Sequence, residues 1–289
     1  MSTPPPKIGV IGGSGLYDLP GIKNLREVRV QTPFGYPSDA YFCGELSGRE
    51  VVFLARHARG HRILPGELNH RANIWGFKKL GVAWVVGVGA VGSLQEKYPP
   101  RTIVLPDQYF DRTKHGLDHT FFGRGIVAHI AFSEPVCVEL QKILYQAARA
   151  LKAKVFLGGT YVNMEGPAFS TQAESRFYRK QGFDVIGMTG LAEARLCREA
   201  EIAYAPMGLV TDYDCWHKTA KAVTMEMVVG NLLANADIAR RIIARAIPRI
   251  PAQPVCSCRR ALDTAIITDK KFWPQKTRSM LEPILRRFF

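Results

Sequence analysis

The chain reads Tyr204-Ala-Pro-Met-Gly-Leu-Val-Thr-Asp-Tyr-Asp-Cys-Trp-His217, an apolar run followed by two carboxylates two positions apart. Residues 204–210 predict a strand, in which side chains alternate between two faces. Beyond that strand, Asp212 and Asp214 can both turn toward a pocket at its C-terminal end, the edge where open α/β sheets bind ligands. Such a pair can accept from an amino group and share a proton with a ring nitrogen, as an adenine-like base requires. Taken alone, the pair more often means that Asp212 orders a turn or caps a helix and that Asp214 is solvated.

Short β-branched runs recur along the chain, and helical patterns separate several of them. Apolar residues at positions 140, 143, 144, 147 and 151 have the spacing of one helix face, and two more helices are predicted between Thr171 and Gly182 and between Thr224 and Pro248. This alternation predicts an α/β fold. Residues 1–7 are expected to be a disordered lead, 8–250 one main domain, and 251–289 a basic C-terminal segment that packs on it. The predicted strands span residues 8–11, 51–55, 84–88, 103–105, 160–163, 185–188 and 204–210.

Bulk composition excludes a membrane-spanning protein. The 289 residues are 47% hydrophobic and 22% charged, as in ordinary globular chains. No run of about 18 apolar residues appears, and residues 1–7 have no apolar signal core, so a cytoplasmic location is expected. The net charge is +14, and residues 237–289 hold twelve basic and four acidic residues, an excess of +8. Without a recognition motif, a solvated basic face is a better interpretation than a nucleic-acid site, although an anionic substrate would benefit from the positive field.

The six cysteines form no C-x-x-C pair, and their spacing does not suit zinc. Cys256 and Cys258 are the only close pair. A bridge between them would close a small strained ring, so free thiols or intersubunit bridges are expected. The cysteines therefore give no indication of a zinc site.

Two glycine-rich stretches follow predicted strands. In Gly12-Gly-Ser-Gly15 the backbone can approach an anion, but no Gly-Lys-Ser/Thr follows, so this is not a Walker loop. Gly87-Val-Gly-Ala-Val-Gly92 does fit G-x-G-x-x-G, and a nicotinamide cofactor site is the main alternative. That fingerprint needs a helix immediately afterwards, yet only residues 93–98 precede Pro99-Pro100. We therefore expect a loop whose amides face a small anion.

Three further segments carry side chains suited to an anion, a sugar and a flat base. Arg56 can hold an oxyanion bidentately, and His57 can donate to the same anion or relay a proton. Phe169 can stack on a base, Met188 can lie under a ribose, and Thr189 can donate to an anion. Each residue alone also has a plain structural interpretation, as surface loop or core.

Together these motifs resemble the 5′-methylthioadenosine phosphorylases of the trimeric purine nucleoside phosphorylase family. The resemblance runs in order from about Lys7 to Ala246, and a family-like tail follows at residues 260–265. The matching motifs are Ile11-Gly-Gly-Ser-Gly-Leu16, Pro33-Phe-Gly-Tyr-Pro-Ser-Asp39, Arg56-His57, Asn73-Ile-Trp75, Gly92-Ser-Leu94, Asp107-Gln108, Asp111-Arg-Thr113, Glu165-Gly-Pro167, Phe169-Ser170, Met188-Thr189 and Thr211-Asp-Tyr-Asp-Cys-Trp216.

The resemblance implies a single domain with a central mixed β-sheet flanked by helices, followed by a C-terminal helical segment. It implies phosphorolysis of methylthioadenosine, with inorganic phosphate as co-substrate and no metal or cofactor. It also implies a homotrimer or a dimer of trimers, in which His129 approaches the sugar end of the neighbouring subunit's site. The phosphate would be bound by Ser14, Arg56, His57, Gly89, Ala90 and Thr189.

The resemblance places the nucleoside at the remaining motifs. Phe169 and Met188 would flank the base and sugar, Asp212 would act as the general acid at N7, and Asp214 would lie near the 6-amino group. Ser170 after the stacking Phe, and Asp rather than Asn at N7, favour a 6-aminopurine. An apolar lining, expected from Met225, Val229 and the tail, would accept a methylthio group.

One departure and two alternatives remain open at this level. Gly89 stands where relatives commonly have Thr or Ser, so one hydroxyl donor to phosphate is missing. A phosphorylase for methylthioinosine or for purine nucleosides in general is the nearest alternative. A non-catalytic nucleoside-binding regulator is the alternative from a different class.

Overall fold

The computed structural model describes residues 5–13, 21–114, 117–217 and 225–289, without the side chains of residues 117, 225–228 and 232. Its strands form one 11-stranded sheet. They are β1 (Lys7–Gly12), β2 (Lys23–Val28), β3 (Tyr41–Leu46), β4 (Arg49–Ala55), β5 (Val82–Ser93), β6 (Ile103–Leu105), β7 (Gln108–Arg112), β8 (Val155–Leu157), β9 (Thr160–Met164), β10 (Val185–Gly187) and β11 (Ala203–Asp212).

Side-chain caps mark the starts of two helices, α3 (Gln172–Lys180) and α1 (His70–Lys79). The hydroxyl of Thr171 accepts from the Glu174 amide, and the Glu174 carboxylate accepts from the Thr171 amide, which makes a capping box at the start of α3. The carboxamide oxygen of Asn69 caps α1 by accepting from the Ala72 amide, without a reciprocal bond. The helices are α1 (His70–Lys79), α2 (Val138–Ala150), α3 (Gln172–Lys180), α4 (Gly190–Glu199), α5 (Met225–Ala246), α6 (Gln275–Met280) and α7 (Glu282–Leu285).

Parallel and antiparallel pairs mix in the sheet, as the resemblance implied. Strands β4, β1, β5 and β11 are parallel neighbours, so their carboxyl ends meet at one edge. Strand β10 runs antiparallel to β5. Because of that reversal, the residues that follow β10 return toward the middle of β5.

The central strand β5 changes its neighbour along one side. It pairs with β1 as far as Gly87 and with β10 from Gly92 onward. On its other side it pairs continuously with β11, from Trp84 to Gly92. Residues 88–91 therefore face an opening in the sheet on one side only, and side chains from other strands can enter there.

The stretch Gly87–Gly92 lies inside β5, so the predicted loop is wrong at this point. Its glycines are explained by close neighbours instead: a Cβ atom at Gly87 would collide with the Tyr204 phenol, and one at Gly92 would lie 3.0 Å from Asp212 Oδ1. No helix follows β5, which ends at Ser93, as the argument against a nicotinamide site requires.

Two apolar clusters cover the faces of the sheet. Trp84 and Val86 face the cluster that includes α2 and α5, and Val85 faces the cluster that includes α1 and α4. The C-terminal segment adds to the second cluster, where Leu281 and Leu285 are fully buried. Residues 1–4 lie outside the described part of the chain, and β1 begins at Lys7. In the described part, none of the helices is long and apolar enough to cross a membrane.

Candidate active site

Arg56 follows β4 directly and extends into the opening beside β5. Its side chain is 4% exposed, and Nε and Nη2 donate to the two carboxylate oxygens of Glu193 at 2.5 and 3.0 Å. Nη1 donates to the carbonyl of Val88 at 2.7 Å. Burial alone would lower the Arg56 pKa, but the Glu193 carboxylate raises it, so the guanidinium stays charged. A fixed positive charge therefore lies at the carboxyl edge of the sheet.

The backbone of β5 supplies a second anion-facing group. Residues two apart in a strand present their amide and carbonyl groups to the same side. The Val88 carbonyl points into the opening beside β5, where it meets Arg56. The Ala90 N–H group therefore points into the same opening. Gly89 and Ala90 are half-buried, although most of β5 is buried. A Cβ atom at Gly89 would lie 3.5 Å from Arg56 Nη1. The absence of a side chain at Gly89 thus leaves space beside the guanidinium.

His57 lies next to Arg56 with one tautomer fixed. Its Nδ1 lies 2.8 Å from the carbonyl oxygen of Ile63, which can only accept, so Nδ1 carries the proton. Burial and the neighbouring Arg56 lower the pKa of His57 to about 4. At neutral pH the ring is therefore uncharged, and Nε2 presents a lone pair that can accept the proton of a hydrogen phosphate.

Thr189 lies at the N-terminus of α4, where β10 has returned toward the middle of β5. It is 9% exposed, and its hydroxyl makes no capping hydrogen bond to α4. The amide of Leu191 donates to Asn163 Oδ1 at 3.0 Å, and the Tyr161 phenol lies against Gly187, at the end of β10. A helix N-terminus favours a nearby anion. These partners hold the Thr189 backbone where its hydroxyl can donate to one.

Asp212 is the last residue of β11 and pairs with Gly92 of β5. It is 8% exposed; the Thr211 hydroxyl donates to Oδ2 at 2.7 Å and the Asp214 amide to Oδ1 at 2.8 Å. Burial raises its pKa, although the two donors partly offset the rise. The Asp214 bond orders a turn, as the simpler interpretation expected, and also fixes the carboxyl group in place.

Asp214 completes that turn with a left-handed backbone, φ 53°, and is 6% exposed. Burial raises its pKa, the nearby Ser175 hydroxyl opposes the rise, and the charge of Asp212 adds to it. No described residue makes a hydrogen bond to its buried Oδ2. The structure thus brings together the two carboxyl groups that the sequence singled out, with one oxygen available to a ligand.

The Phe169-Ser170 segment lies beside this pair. The carbonyl of Ser170 accepts from the Cys215 thiol at 3.2 Å, which joins the segment to the turn that follows β11. The Phe169 side chain is 46% exposed, so core packing does not explain it. An exposed aromatic ring next to two buried carboxyl groups suits stacking on a flat base.

Met188 lies against Gly166, where a Cβ atom would collide with the methionine sulfur. It borders a cavity of about 40 Å³, whose lining also includes Leu68, His70, His119 and Glu165. Met188 follows β10, which runs from beside Gly92 toward the middle of β5. It therefore follows the strand that leads from the carboxyl pair toward Thr189. A larger basic cavity of about 370 Å³, lined by residues such as Lys78 and Arg259, contains none of the predicted site residues.

The remaining predicted residues are less informative. Ser14 lies outside the described residues, as does the side chain of Met225, whose backbone begins α5. Val229 on α5 is 47% exposed and His129 is exposed. The side-chain carboxamide of Asn231 on α5 donates through Nδ2 to the Thr211 carbonyl at 2.7 Å. This bond joins the helix to the strand that carries Asp212.

Sequence reasoning missed the groups that hold the predicted ones in place. Glu193 is fully buried and accepts from both Arg56 and the Tyr204 phenol. One signal was available, because Glu193 is a carboxylate within the otherwise apolar start of a helix. Asn163 and Ser175 gave no comparable signal, since amides and hydroxyls are common on strands and helices.

This chain belongs to the phosphorylase superfamily: the sequence model of that family matches residues 7–248. Among curated relatives, an S-methyl-5′-thioadenosine phosphorylase of Koribacter versatilis is 54% identical over 283 residues, 98% of this chain and 97% of the relative. A protein of the same name from Gloeobacter violaceus is 52% identical, covering 100% of this chain and 98% of the relative.

Solved structures give the same result. A methylthioadenosine phosphorylase from an Antarctic soil metagenomic library superimposes with a TM-score of 0.92 at 44% identity, covering 98% of this chain and 100% of that chain. The methylthioadenosine phosphorylase of Schistosoma mansoni in complex with adenine gives a TM-score of 0.80 at 34% identity, covering 89% of this chain and 96% of that chain.

Proposed function

We propose that this phosphorylase catalyses the reversible phosphorolysis of S-methyl-5′-thioadenosine to adenine and 5-methylthioribose 1-phosphate. One observation carries the proposal. Asp212, whose carboxyl group is buried, pairs with Gly92 of β5. Gly89 lies three residues earlier on the same strand and is next to the Arg56 guanidinium. At about 3.3 Å per residue, the acid and the anion site are roughly 10 Å apart along one strand. This spacing leaves room for a pentose between a phosphate and a purine.

The anion end binds orthophosphate. Arg56 supplies charge, and the Ala90 amide and the Thr189 hydroxyl supply donors. Neutral His57 accepts a hydrogen bond at Nε2 from the P–OH group of hydrogen phosphate, which remains a dianion with its charged oxygens toward the sugar. As the C1′–N9 bond breaks, positive charge grows on the pentose, and the adjacent phosphate stabilises that charge. A phosphate oxygen then forms the new bond to C1′.

The other end assists the leaving base. Negative charge develops on the purine, and a protonated Asp212 donates to N7. Burial favours that protonated form by raising the Asp212 pKa. Asp214, whose pKa is also raised by burial, faces the 6-amino group, and Phe169 stacks on the ring. The proton that Asp212 delivers leaves with adenine.

Several features support a 6-aminopurine with an apolar 5′ substituent. Ser170 and Asp212 occupy the positions that read the purine edge, and the relatives at about 50% identity carry the methylthioadenosine name. We infer that Met225 and Val229 contribute to the pocket for the methylthio group. One methyl-sized contact gives only about 1–3 kcal/mol of discrimination, so adenosine is expected to be a poorer substrate rather than a non-substrate.

The proposed reaction uses no metal ion or organic cofactor in its chemistry. We also propose a trimer or a dimer of trimers, in which the exposed His129 reaches the neighbouring subunit's sugar site. Sedimentation together with His129→Ala kinetics tests this: a rise in the KM for the nucleoside, with the KM for phosphate unchanged, is expected. A monomeric enzyme with full activity would overturn it.

The decisive experiment replaces Asp212 with Ala and measures adenine release with and without orthophosphate. We expect release to require phosphate in the wild type and kcat to fall by about 10²–10⁴ in the variant. The exposed Asp237→Asn change on α5 is the control and should leave kcat unchanged. Release without phosphate consumption would contradict the proposal, and so would an unaffected Asp212 variant.

Substrate preference requires a separate comparison. Measuring kcat/KM for methylthioadenosine, methylthioinosine, adenosine and inosine should rank methylthioadenosine first. Equal values for inosine would favour the broad purine nucleoside alternative while leaving phosphorolysis intact.

A further inference from the structure

Three cysteines that are distant in sequence meet beneath the C-terminal segment. The sulfur atoms of Cys137, Cys256 and Cys258 all lie within 4.8 Å of one another, and Cys137 Sγ is 3.5 Å from Cys256 Sγ. Cys137 and Cys258 are 2% and 3% exposed, while Cys256 is half-buried. All three are free thiols. None of the three is a residue of the candidate active site.

The cluster is held by regular structure rather than by mobile side chains. The Cys137 amide donates to the Tyr204 carbonyl at 2.8 Å, and the Cys137 carbonyl accepts from the Gln141 amide at 3.0 Å within the first turn of α2. Cys256 is the N-cap of the short helical turn that contains Cys258. The backbone on both sides of the cluster is therefore in regular structure, and the three side chains extend from it toward one another. A metal site requires ligands that are held in this way.

Three thiols at this separation suit a soft metal ion. Zn–S bonds are about 2.3 Å, which places thiolates in a tetrahedral site roughly 3.8 Å apart. The observed separations need only small side-chain adjustments to reach that value. Among biological ligands, thiolates select Zn²⁺ and Cu⁺ rather than Mg²⁺ or Ca²⁺.

A carboxylate lies near the cluster. Glu139, in the first turn of α2, interacts electrostatically with Cys256. Its Oε2 is buried and has no hydrogen-bond partner among the described residues. Its oxygens are not part of the group of ligand atoms that lie within 4.8 Å of one another, so Glu139 becomes a ligand only if its side chain moves. The positive charge of Arg198 acts on Cys258 and favours its thiolate.

We propose that Cys137, Cys256 and Cys258 bind one Zn²⁺ ion per chain, with Glu139 or a water molecule as the fourth ligand. Binding releases the thiol protons and joins the C-terminal segment to α2 at the end nearest β11. The spacing of Cys256 and Cys258 alone does not predict zinc, because the third thiol lies 119 residues before Cys256.

The test uses the full-length protein, reduced and freed of metal by a chelator. Zn²⁺ content after dialysis should approach one ion per chain, and Cd²⁺ should give a thiolate charge-transfer absorption. Cys137→Ser should abolish both signals, and Glu139→Gln should weaken Zn²⁺ binding by about 10–100-fold. The matched control Cys43→Ala, on β3, should retain full stoichiometry.

Failure of the reduced wild type to bind Zn²⁺ or Cd²⁺ would overturn the proposal, as would unchanged stoichiometry in Cys137→Ser. If Cys137→Ser does not fold, Cys256→Ser at the half-buried position gives the same readout. Zn²⁺ should also raise the Tm of the wild type but not of the cysteine variants. The phosphorolysis assay is independent of this result, so the two proposals fail separately.

Discussion

At Gly92 the absence of a side chain leaves room for the carboxyl group of the candidate acid, Asp212. A Cβ atom there would lie 3.0 Å from Asp212 Oδ1 and 3.1 Å from Ile186 Cγ2. Gly92→Ala should therefore push the Asp212 carboxyl away from its hydrogen bonds and lower kcat by roughly 10-fold or more, since placement errors of about 1 Å cost up to about 10²-fold. Steady-state kinetics with saturating phosphate measures this effect.

Gly89→Ala, on the same strand, is the matched control. Its Cβ atom would lie 3.5 Å from Arg56 Nη1, an ordinary contact. At saturating phosphate it should leave kcat nearly unchanged, because any effect of the added methyl group at the anion site falls on the KM for phosphate. Gly89→Thr, which adds a hydroxyl donor, should lower that KM. Equal losses of kcat in Gly92→Ala and Gly89→Ala would count against the specific role of Gly92.

Glu193 should matter more for stability than any exposed acid. Replacing it with Gln leaves the Arg56 charge buried without its counter-ion, which typically costs about 3–5 kcal/mol. Urea unfolding should show that loss. The control is Glu50→Gln, which removes a surface pair with Lys7 and should cost less than about 1 kcal/mol. Similar losses in the two variants would be inconsistent with a buried, structurally required pair.

At this scale the sequence indicated the residues with distinctive chemistry and missed those that hold them in place. Arg56, Asp212 and Phe169 could be predicted because their residue types are unusual next to strand ends. Glu193 could not be assigned to Arg56, because the two lie 137 positions apart. Only the three-dimensional path of β4 and α4 brings them together.

Among the elements, α3 carries the group that faces Asp214. Its capping box depends on Thr171, and Ser175 in its first half lies next to the Asp214 carboxyl. Thr171→Ala should destabilise the protein by about 0.5–2 kcal/mol, measured by thermal or urea unfolding. Lys180→Ala, at the exposed end of the same helix, should have little effect. A loss of equal size at Lys180 would contradict the role of the cap.

The predicted elements were those with an apolar pattern. Strand β4 and helix α2 bury one face or both, and the sequence shows them clearly. Strand β2 has almost only exposed residues, so no alternation marked it, although it pairs with β3. The stretch Gly87–Gly92 was assigned to a loop because glycines usually mark turns. In this strand, Gly87 and Gly92 have no room for a side chain, because Tyr204 and Asp212 occupy the adjacent space.

At the scale of the whole molecule, Glu199 should give stability a distinctive pH dependence. It is 5% exposed and accepts from the Thr120 hydroxyl and the Phe121 amide at 2.7 and 2.6 Å. Burial raises its pKa from 4.5 to about 7. The folded protein therefore holds the proton more tightly than the unfolded chain. This stabilisation is complete below about pH 4.5 and is lost as the pH rises through about 7, with an upper limit of about 3 kcal/mol.

Glu199→Gln mimics the protonated acid and should remove that pH dependence. Unfolding free energies measured between pH 4.5 and 8 should fall less steeply in the variant than in the wild type. Glu282→Gln provides the contrast, since Arg286 lowers the pKa of that half-buried acid. Parallel stability curves for wild type and Glu199→Gln would show that burial does not shift this group.

The continuity of β5 limits which substrates the protein can accept. Gly89 and Ala90 at the anion site and Gly92 beside the Asp212 carboxyl belong to one strand. Backbone length along that strand therefore sets much of the distance between the anion site and the candidate acid. Laboratory evolution at the rim, for example at Ser170 or Val229, can therefore change which base or 5′ group is accepted. It should not yield an enzyme for leaving groups attached through a longer spacer, since that would require inserting a residue into β5, which pairs with neighbours on both sides.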